Sequence, residues 1–394
     1  MSKVLFANLG VQPIPNNFLS KEQLGDPEPF YPLSASFDTE TFLVQLDYPL
    51  PREVIFNAGY PYFSSQSTTF LAHAQTFANE MIHRFNPKLV VEIGSNDGYL
   101  LQFFKRMGVR VFGYEPCLSV AAYARNKGIT TIVDFFGSTK QIREPKADLM
   151  IANNVLAHVP DIDDFVDGFR VALAPEGVVT FEFPHLLNLI QQNQFDTIYH
   201  EHYSYLSLVA VTRVLDRHDL RVFDVEQLPV HGGSLRVFAC LKDSKRATRY
   251  KNITVVIGLE HDAGLYKPAV YEGFAKRVCQ TKRRLLDALI DIKAYGDTIV
   301  GYGAPAKGNT LLNYCGIGKD FLEFVVDTTP AKQGMYLPGS RLEIRRPLEL
   351  DKFKPDYVLI LPWNFKDEIM GKLDHIRNWG GKFIVPIPTP EIIK

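Results

Sequence analysis

The fold of this 394-residue chain is decided by the stretch Val90-Val91-Glu92-Ile93-Gly94-Ser95-Asn96-Asp97-Gly98-Tyr99-Leu100-Leu101. Its apolar, β-branched start predicts a buried strand, and the residues after Gly98 have a helical pattern. Gly94 and Gly98 allow the backbone to turn tightly beneath a ligand. A second short strand, 110–115, ends in Glu115, 21 residues after Gly94. An acid at that spacing can accept hydrogen bonds from ribose hydroxyls, so the two strands predict an adenosine-binding site.

The spacing of the glycines indicates which adenosine cofactor binds. A dinucleotide fingerprint has glycine at its first, third and sixth positions, which lets a diphosphate approach the backbone. Here these positions hold Gly94, Asn96 and Tyr99, and the last two side chains would crowd a diphosphate. S-adenosylmethionine carries no phosphate and needs only the turn. We therefore expect S-adenosylmethionine as the cofactor; the competing interpretation is a glycine turn that serves packing alone.

The composition is that of a large globular protein. Hydrophobic residues make up 46% of the chain and charged residues 22%, and the length predicts two or three domains. No apolar run reaches about 18 residues, so no membrane span is expected. The first residues carry no export signal, which predicts a cytoplasmic protein. A net charge of −1 without Lys or Arg runs argues against a nucleic-acid partner. The four cysteines lie far apart and are expected to be reduced thiols.

The chain from residue 68 onward alternates predicted helices and strands. A helix is predicted over 68–85, and strands over 130–133, 148–154 and 177–183. This alternation predicts a parallel sheet with helices on both faces. Two final strands, 220–228 and 233–241, leave no room for a helix between them and are predicted to form an antiparallel hairpin. The expected α/β fold is the class I methyltransferase-like version of the doubly wound sheet, over 68–245.

The flanking segments are predicted to differ in kind. Residues 1–67 are rich in proline, as in Gln12-Pro13-Ile14-Pro15, and predict a small irregular lobe that packs on the next domain. Residues 246–394 begin with an amphipathic helix over 263–295 and continue with strands over 298–303, 324–327, 357–361 and 383–386. Residues 246–394 are therefore predicted to form a Rossmann-like α/β domain.

A glycine turn opens this C-terminal domain. The sequence Gly301-Tyr302-Gly303-Ala304-Pro305-Ala306-Lys307 satisfies G-x-G-x-x-A after a strand, and Asp327 ends the next strand. Lys307 beside a helix N-terminus suits an anion such as a nucleotide diphosphate. An alternative of equal weight is that these glycines have only a structural role in a second copy of the α/β fold. A further possibility is that the turn binds a nicotinamide dinucleotide.

The densest polar constellation is Tyr199-His200-Glu201-His202-Tyr203. It follows the strand over 177–183 and is expected near the carboxyl edge of the sheet, where open α/β folds bind substrates. Histidine and tyrosine can exchange protons near neutral pH, and a carboxylate can fix an imidazole tautomer. Two earlier loops bring His158 and His185 toward the same edge, so four of the ten histidines are expected to converge there.

Two other interpretations of this constellation are open. Any single histidine here is more often structural than catalytic, and only the convergence favours chemistry. A metal site is disfavoured because the adjacent residues of His200-Glu201-His202 cannot easily share one face of a coordination shell. We therefore expect no metal ligands.

Motifs spread over most of the chain carry a family resemblance. They are Tyr62-Phe63-Ser64-Ser65, Glu92-Ile93-Gly94-Ser95-Asn96-Asp97-Gly98, Gly113-Tyr114-Glu115-Pro116, Asn153-Asn154-Val155-Leu156-Ala157-His158, Tyr199-His200-Glu201-His202, His231-Gly232-Gly233-Ser234, Gly301-Tyr302-Gly303-Ala304 and Pro362-Trp363-Asn364-Phe365. Together they resemble the sugar C-methyltransferase family, which adds a methyl branch to nucleotide-linked deoxysugars such as tetronitrose. The resemblance implies a zinc-binding N-terminal lobe, a central S-adenosylmethionine domain and a C-terminal domain that closes over the nucleotide sugar.

The N-terminal lobe departs from the family pattern. The family has two C-x-x-C pairs there, whereas this chain has Asp38 and Thr41 at the places of the second pair and begins too late for the first. Zinc is expected to be absent, and the lobe must be held by other packing. Its substrate contacts are the least secure part of the resemblance.

The resemblance also assigns the site. The expected catalytic residues are His202 as base, Tyr199 assisting or holding the enolate, Glu201 orienting the imidazole, and His158 contacting the sugar. The expected cofactor-binding residues are Glu92, Gly94, Asn96, Asp97, Gly98, Glu115, Pro116, Asn153 and Asn154. The expected substrate-binding residues are Tyr62, His185, His231, Gly303, Lys307 and Asn309.

The resemblance implies methyl transfer from S-adenosylmethionine to C3 of a nucleoside-diphosphate-linked 4-keto-6-deoxysugar. A carbon becomes nucleophilic only after its proton leaves, which explains a base and a group that stabilises the enolate oxygen. The alternatives are N- or O-methylation of a related nucleotide sugar, and a non-catalytic protein that binds such a sugar.

Overall fold

A computed structural model describes residues 3–56, 63–66, 68–138 and 145–394, except for the side chains of Gln66, Thr68, Thr69 and His231. It contains three sheets. No helix in this described part is long and apolar enough to cross a membrane. The predicted contact residue Tyr62 and the side chain of His231 lie outside the described residues.

The N-terminal lobe is an antiparallel sheet, so the prediction of an irregular lobe was wrong. Strands β1 (Lys3–Gln12), β2 (Tyr31–Asp38) and β3 (Val44–Leu46) lie side by side and precede a short helix, α1 (Arg52–Ile55). Four of the eight prolines of residues 1–67 lie in the connection over 13–30, and Pro32 lies near the start of β2. A fourth strand, supplied by residues 204–205, completes the sheet on the free side of β3. The lobe is therefore a sheet of three consecutive strands to which a distant segment adds a short fourth strand.

The central domain is a seven-stranded sheet with helices on both faces, as predicted. Its elements are α2 (Thr68–Phe85), β4 (Leu89–Ile93), α3 (Leu101–Arg106), β5 (Arg110–Tyr114), α4 (Leu118–Asn126), β6 (Thr131–Ile132), β7 (Ala147–Asn153), α5 (Ile162–Ala172), β8 (Leu173–Pro184), α6 (Leu186–Gln191), β9 (Ser204–Tyr205), α7 (Leu208–Arg217), β10 (Leu220–Leu228) and β11 (Ser234–Leu241). The spatial order is β10-β11-β8-β7-β4-β5-β6; β9 belongs to the N-terminal sheet. Strand β11 is antiparallel to β8 and β10, which confirms the predicted terminal hairpin.

The C-terminal domain begins with two helices rather than the single predicted one. They are α8 (Tyr250–Asp262) and α9 (Pro268–Ala294), and Pro268 starts α9 because a proline at the first helical position loses no hydrogen bond. The rest consists of β12 (Ile299–Tyr302), α10 (Ala306–Cys315), β13 (Val325–Val326), β14 (Ile344–Arg345), α11 (Leu348–Phe353), β15 (Tyr357–Ile360), α12 (Lys366–Lys372), β16 (Lys382–Val385) and β17 (Glu391–Ile393). The strand order is β14-β13-β12-β15-β16-β17, and only β17 is antiparallel to its neighbour. This is the predicted Rossmann-like unit.

The N-terminal lobe packs mainly on the C-terminal domain. The rings of Phe6 and Phe274 stack with centroids 4.4 Å apart, and those of Phe37 and Tyr271 stack at 3.9 Å. All four side chains are buried in one apolar core that also includes the C-terminal sheet. The lobe also packs on the central domain, as expected: β3 pairs with β9, Asn16 bonds Glu201 and the ring of Tyr31 contacts that of His200. The boundaries 1–67, 68–245 and 246–394 stay a prediction.

Candidate active site

The turn after β4 has the backbone that its glycines predict. Gly94 and Gly98 have φ of +65° and +75°. A Cβ on Gly94 would lie 2.7 Å from Cγ2 of Val155, and one on Gly98 would lie 2.4 Å from Cδ1 of Ile129. Neither position can hold a larger residue without movement. The contact with Val155 also places the turn directly against the loop that follows β7.

Glu115 ties this turn to the second strand. It is 6% exposed, its Oε2 accepts from the backbone N–H of Asn96 over 3.0 Å, and its Oε1 accepts from Cys117 over 2.8 Å. Each carboxylate oxygen has a second lone pair for another donor. The acid is thus held where the sequence predicted a ribose contact, and Pro116 lies beside it, half-buried.

Three carboxylates gather under the turn, and this cluster suits a cationic ligand. Glu92, Asp97 and Glu115 are all buried. Burial, followed by the charges of Asp97 and Glu115, raises the pKa of Glu92 well above its usual range. Within the described chain, Oε2 of Glu92 and Oδ1 of Asp97 are buried without a hydrogen-bond partner. An ammonium group with nearby hydroxyls would satisfy them.

The ends of β7 and β8 complete this edge of the sheet. Asn153 ends β7, and its buried Oδ1 has no partner in the described part of the chain. Asn154 follows with a φ of +57°, and its N–H donates to the carbonyl of Glu182 over 2.7 Å. The residues around the turn therefore fit S-adenosylmethionine. The buried acceptor atoms suit its amino group, Glu115 is the acid expected to accept from its ribose hydroxyls, and the cofactor has no diphosphate for which the turn would need space.

The segment that follows Phe195–Thr197, a short 3-10 helix, carries the predicted catalytic side chains. Nδ1 of His202 lies 2.7 Å from the carbonyl oxygen of Thr197. Since a carbonyl only accepts, Nδ1 carries the hydrogen and Nε2 carries the lone pair. The ring of Tyr199 lies 4.1 Å from that of His202, centroid to centroid, and the ring of His158 lies at 4.7 Å. Three of the predicted catalytic residues are thus in contact.

His158 is a neutral imidazole at physiological pH. Burial lowers its pKa to about 4, and a hydrogen bond to the backbone of Glu201 opposes this only in part. Its Nδ1 is buried and has no partner among the described residues. A neutral ring with an unsatisfied nitrogen suits hydrogen bonding to a substrate.

Glu201 is held by the N-terminal lobe. Its Oε1 accepts a hydrogen bond of 2.6 Å from Nδ2 of Asn16, and the residue is 3% exposed. We predicted that Glu201 orients the ring of His202. In the structure, Nδ1 of His202 is instead hydrogen-bonded to the carbonyl oxygen of Thr197. Sequence reasoning missed both Asn16 and Thr197, because a backbone carbonyl leaves no residue-type signal and Asn16 is 185 residues distant.

The other two histidines do not join His158 and His202, so the predicted convergence was half right. His185 is buried, and its Nε2 lies 2.7 Å from Oε1 of Glu260 on α8. Glu260 also accepts from the N–H groups of Leu208 and Val209 at the start of α7. His200 is fully buried, with its ring 6.0 Å from that of Tyr31. The assignment of His185 to the substrate is corrected: this histidine joins the central domain to α8.

The C-terminal domain meets the catalytic segment at a buried polar cluster. Nε1 of Trp363 donates to Oδ2 of Asp196 over 2.7 Å, and Asp196 is fully buried. Burial raises the pKa of Asp196 to about 6, and the charge of Lys307 opposes that rise. Lys307 bonds Oδ1 of Asn364 and lies over the indole ring of Trp363. Asn309 is 1% exposed, and neither end of its amide has a partner among the described residues.

The glycine turn of this domain packs closely against the residues that follow β15. A Cβ on Gly303 would lie 2.6 Å from Cδ of Pro362, so this glycine serves close packing. Asp327 accepts from the N–H of Ala304 through Oδ2 and from that of Thr329 through Oδ1, each over 2.7 Å. Asp327 thus holds its turn in the way that Glu115 holds the turn after β4, and the packing and dinucleotide interpretations of this turn both stay predictions. Lys307 and Asn309 remain available as substrate residues.

Residues 1–56 contain no cysteine. The described chain also holds no group of three His, Cys, Asp or Glu side chains that could bind a metal. At the place of the second C-x-x-C pair, Oδ1 of Asp38 accepts from the N–H groups of Glu40 and Thr41, over 2.8 and 2.9 Å. A hydrogen-bonded turn thus stands where the family has a metal-bound one.

A class I sheet with this carboxylate-lined glycine turn defines an S-adenosylmethionine-dependent methyltransferase. The family models agree: residues 1–56 match a putative zinc binding domain, residues 70–225 a methyltransferase domain, and residues 229–388 a C-methyltransferase C-terminal domain. The C-methyltransferase NovU of Streptomyces niveus is 35% identical over 393 residues, which is 98% of this chain and 93% of the relative.

More distant similarities are confined to part of the chain. A ubiquinone biosynthesis O-methyltransferase of Rhodopseudomonas palustris is 26% identical over 94 residues, covering 23% of this chain and 37% of its own length. The solved 1,6-didemethyltoxoflavin-N1-methyltransferase of Burkholderia thailandensis is 16% identical and covers 53% of this chain and 96% of its own, with a TM-score of 0.39. The full-length match is decisive: this chain belongs to the sugar C-methyltransferase family.

Proposed function

We propose that the enzyme methylates C3 of a nucleoside-diphosphate-linked 4-keto-6-deoxysugar. The observation that carries this proposal is the tether between Nδ1 of His202 and the Thr197 carbonyl. In the neutral imidazole this bond places the hydrogen on Nδ1, so Nε2 is the basic nitrogen, in a ring that contacts Tyr199 and the neutral His158. A carbon acid and a hydroxyl group both need a base before they attack a methyl donor, whereas a neutral amine does not, so proton exchange at C3 is the observation that separates C-methylation from O-methylation.

The chemistry follows from the acidity of a carbon next to a ketone. Nε2 of His202 takes the proton from C3, and the electron pair moves toward the C4 oxygen to form an enolate. The hydroxyl of Tyr199 donates a hydrogen bond to that oxygen as charge develops. S-adenosylmethionine, when bound, supplies an electrophilic methyl group. When the bond from C3 to the methyl group forms, the C4 ketone is restored and S-adenosylhomocysteine is the leaving group, and His202 then returns its proton to solvent.

The cofactor turn and the base are adjacent in the fold. Val155, which touches Gly94, and His158 belong to the same loop after β7, and His158 contacts His202. This adjacency supports a pocket with the methyl donor on one side and the imidazole on the other. Lys307 and Asn309 are proposed to contact the nucleotide-linked part of the substrate from the C-terminal domain.

The test is proton exchange at C3. We expect the enzyme, with S-adenosylhomocysteine in place of the donor, to exchange deuterium from D2O into C3 of the ketosugar. His202→Ala should lose both exchange and methyl transfer while keeping its affinity for S-adenosylmethionine in calorimetry. His83→Ala is a matched control, because His83 is exposed on α2. Turnover by His202→Ala at the wild-type rate would overturn the assignment of the base.

The same experiment separates the alternatives. Methyl transfer without exchange at C3 would indicate N- or O-methylation. A protein that binds the nucleotide sugar but not S-adenosylmethionine would be a non-catalytic relative. Mass spectrometry of products from a panel of nucleoside-diphosphate 4-ketosugars would identify the sugar and the base.

A further inference from the structure

Helix α8 has one buried face and one open face. Val256 and Glu260 are buried, and Glu260 binds the start of α7. Val255, on the opposite face, is 50% exposed, and Tyr250 and Leu259, which are 74% and 44% exposed, lie on either side of that face. These large apolar side chains form a shallow depression together with the residues Lys251, Thr254, Gly258 and Asp262. A patch of this kind on a protein surface commonly marks an interaction site.

The open face carries a regular stripe. An α-helix turns 100° per residue, so Val255, Gly258 and Asp262 all lie within about 40° of Lys251 around the axis. Lys251 and Asp262 are both exposed and stand at opposite ends of the stripe. The helix thus presents a positive end, a centre of Val255 and Gly258, and a negative end.

This stripe is complementary to itself. In an antiparallel pair of α8 helices about a two-fold axis, residue i of one copy faces residue 513 − i of the other, an isologous arrangement. Lys251 then faces Asp262, and Val255 faces Gly258. A Cβ built on Gly258 meets nothing within 4 Å, so there is space for the partner's valine. Opposite charges meet at both ends, and a side chain meets a gap at the centre.

We propose that α8 is the interface of a homodimer of this enzyme, formed by antiparallel packing of the two α8 helices. A stable interface buries about 800 Å² on each partner, and a single helix face provides less. Tyr250 and Leu259, on either side of the stripe, add exposed apolar surface to it. The dimer is accordingly weak and depends on protein concentration. This inference does not depend on the identity of the substrate.

Sedimentation velocity on the full chain, from about 1 to 200 μM, tests the dimer. We expect wild type to shift from monomer to dimer over this range. Lys251→Asp and Asp262→Lys each place like charges together at both ends and should weaken the dimer by about tenfold or more. The double variant, and an equimolar mixture of the two single variants, restore opposite charges and should restore the wild-type association.

Gly258→Leu fills the central gap and should also weaken the dimer. Gly371→Leu is its control, because Gly371 is likewise an exposed helical glycine with open space around it. A chain that stays monomeric at 200 μM would overturn the proposal. So would a dimer that all three α8 variants leave unchanged, or charge reversals that the double variant does not rescue.

Discussion

Trp363→Phe removes one hydrogen bond between the C-terminal domain and the catalytic segment. The indole Nε1 donates to Oδ2 of the fully buried Asp196 over 2.7 Å, and phenylalanine keeps most of the apolar packing but not the donor. A hydrogen bond to a charged group contributes about 1.5–3 kcal/mol, and one between neutral groups about 1 kcal/mol. At pH 7.5 we expect the free energy of unfolding to fall by about 1.5–3 kcal/mol.

The cost should depend on pH because the acceptor titrates. Burial raises the pKa of Asp196 from near 3.8 to about 6. A raised pKa in the folded state means that the contribution of Asp196 to stability is full below about pH 4 and is lost as pH rises through 6. The N–H of Trp363 reduces that loss by stabilising the charged form. At pH 5 the folded protein holds a neutral acid, and the same substitution should cost only about 1 kcal/mol.

Urea unfolding at pH 5 and pH 7.5, followed by circular dichroism, measures both costs. The matched control is Trp379→Phe, since Nε1 of Trp379 donates over 3.0 Å to the carbonyl of Pro355, which is neutral at every pH. That control should cost about 1 kcal/mol at both pH values. Equal costs for Trp363→Phe at the two pH values, or a cost at pH 7.5 no larger than that of the control, would refute the reasoning about Asp196.

Three further outcomes are expected. Gly98→Val should abolish S-adenosylmethionine binding in calorimetry, because its Cβ would lie 2.4 Å from Ile129 and φ is +75°; unchanged affinity would contradict the assignment of the turn. The affinity for S-adenosylmethionine should fall as pH is lowered, because burial holds the pKa of Glu92 high and the protonated acid no longer attracts an ammonium group. Glu92→Gln should bind S-adenosylmethionine more weakly and lose most of this pH dependence. A pH profile of binding identical to that of the wild type would count against the role of the carboxylate cluster. Glu260→Ala leaves the ring nitrogen of His185 and the N–H groups of Leu208 and Val209 without their acceptor. We expect the free energy of unfolding in urea to fall by about 3–5 kcal/mol for this variant, and by clearly less for Glu260→Gln.

The sequence by itself determined the central domain and its cofactor. The strand of residues 89–93, the turn at Gly94 and Gly98, and the acid at Glu115 are set by interactions between near neighbours. Side-chain period and glycine backbone freedom are local properties, so they can be interpreted without knowing the rest of the fold. The hairpin of β10 and β11 was predictable for the same reason: its loop is too short for a helix.

The tertiary structure alone decided the N-terminal lobe and the arrangement of the histidines. Residues 1–67 looked irregular because β1 has no regular alternation of buried and exposed side chains and its pairing with β2 has two register shifts; its apolar side chains are buried against the distant helix α9. His200 and His202 are two residues apart, yet one faces Tyr31 and the other His158. The bond between Asp196 and Trp363 spans 167 residues. Such contacts depend on how distant segments meet when the whole chain packs, and no local pattern of residues specifies them.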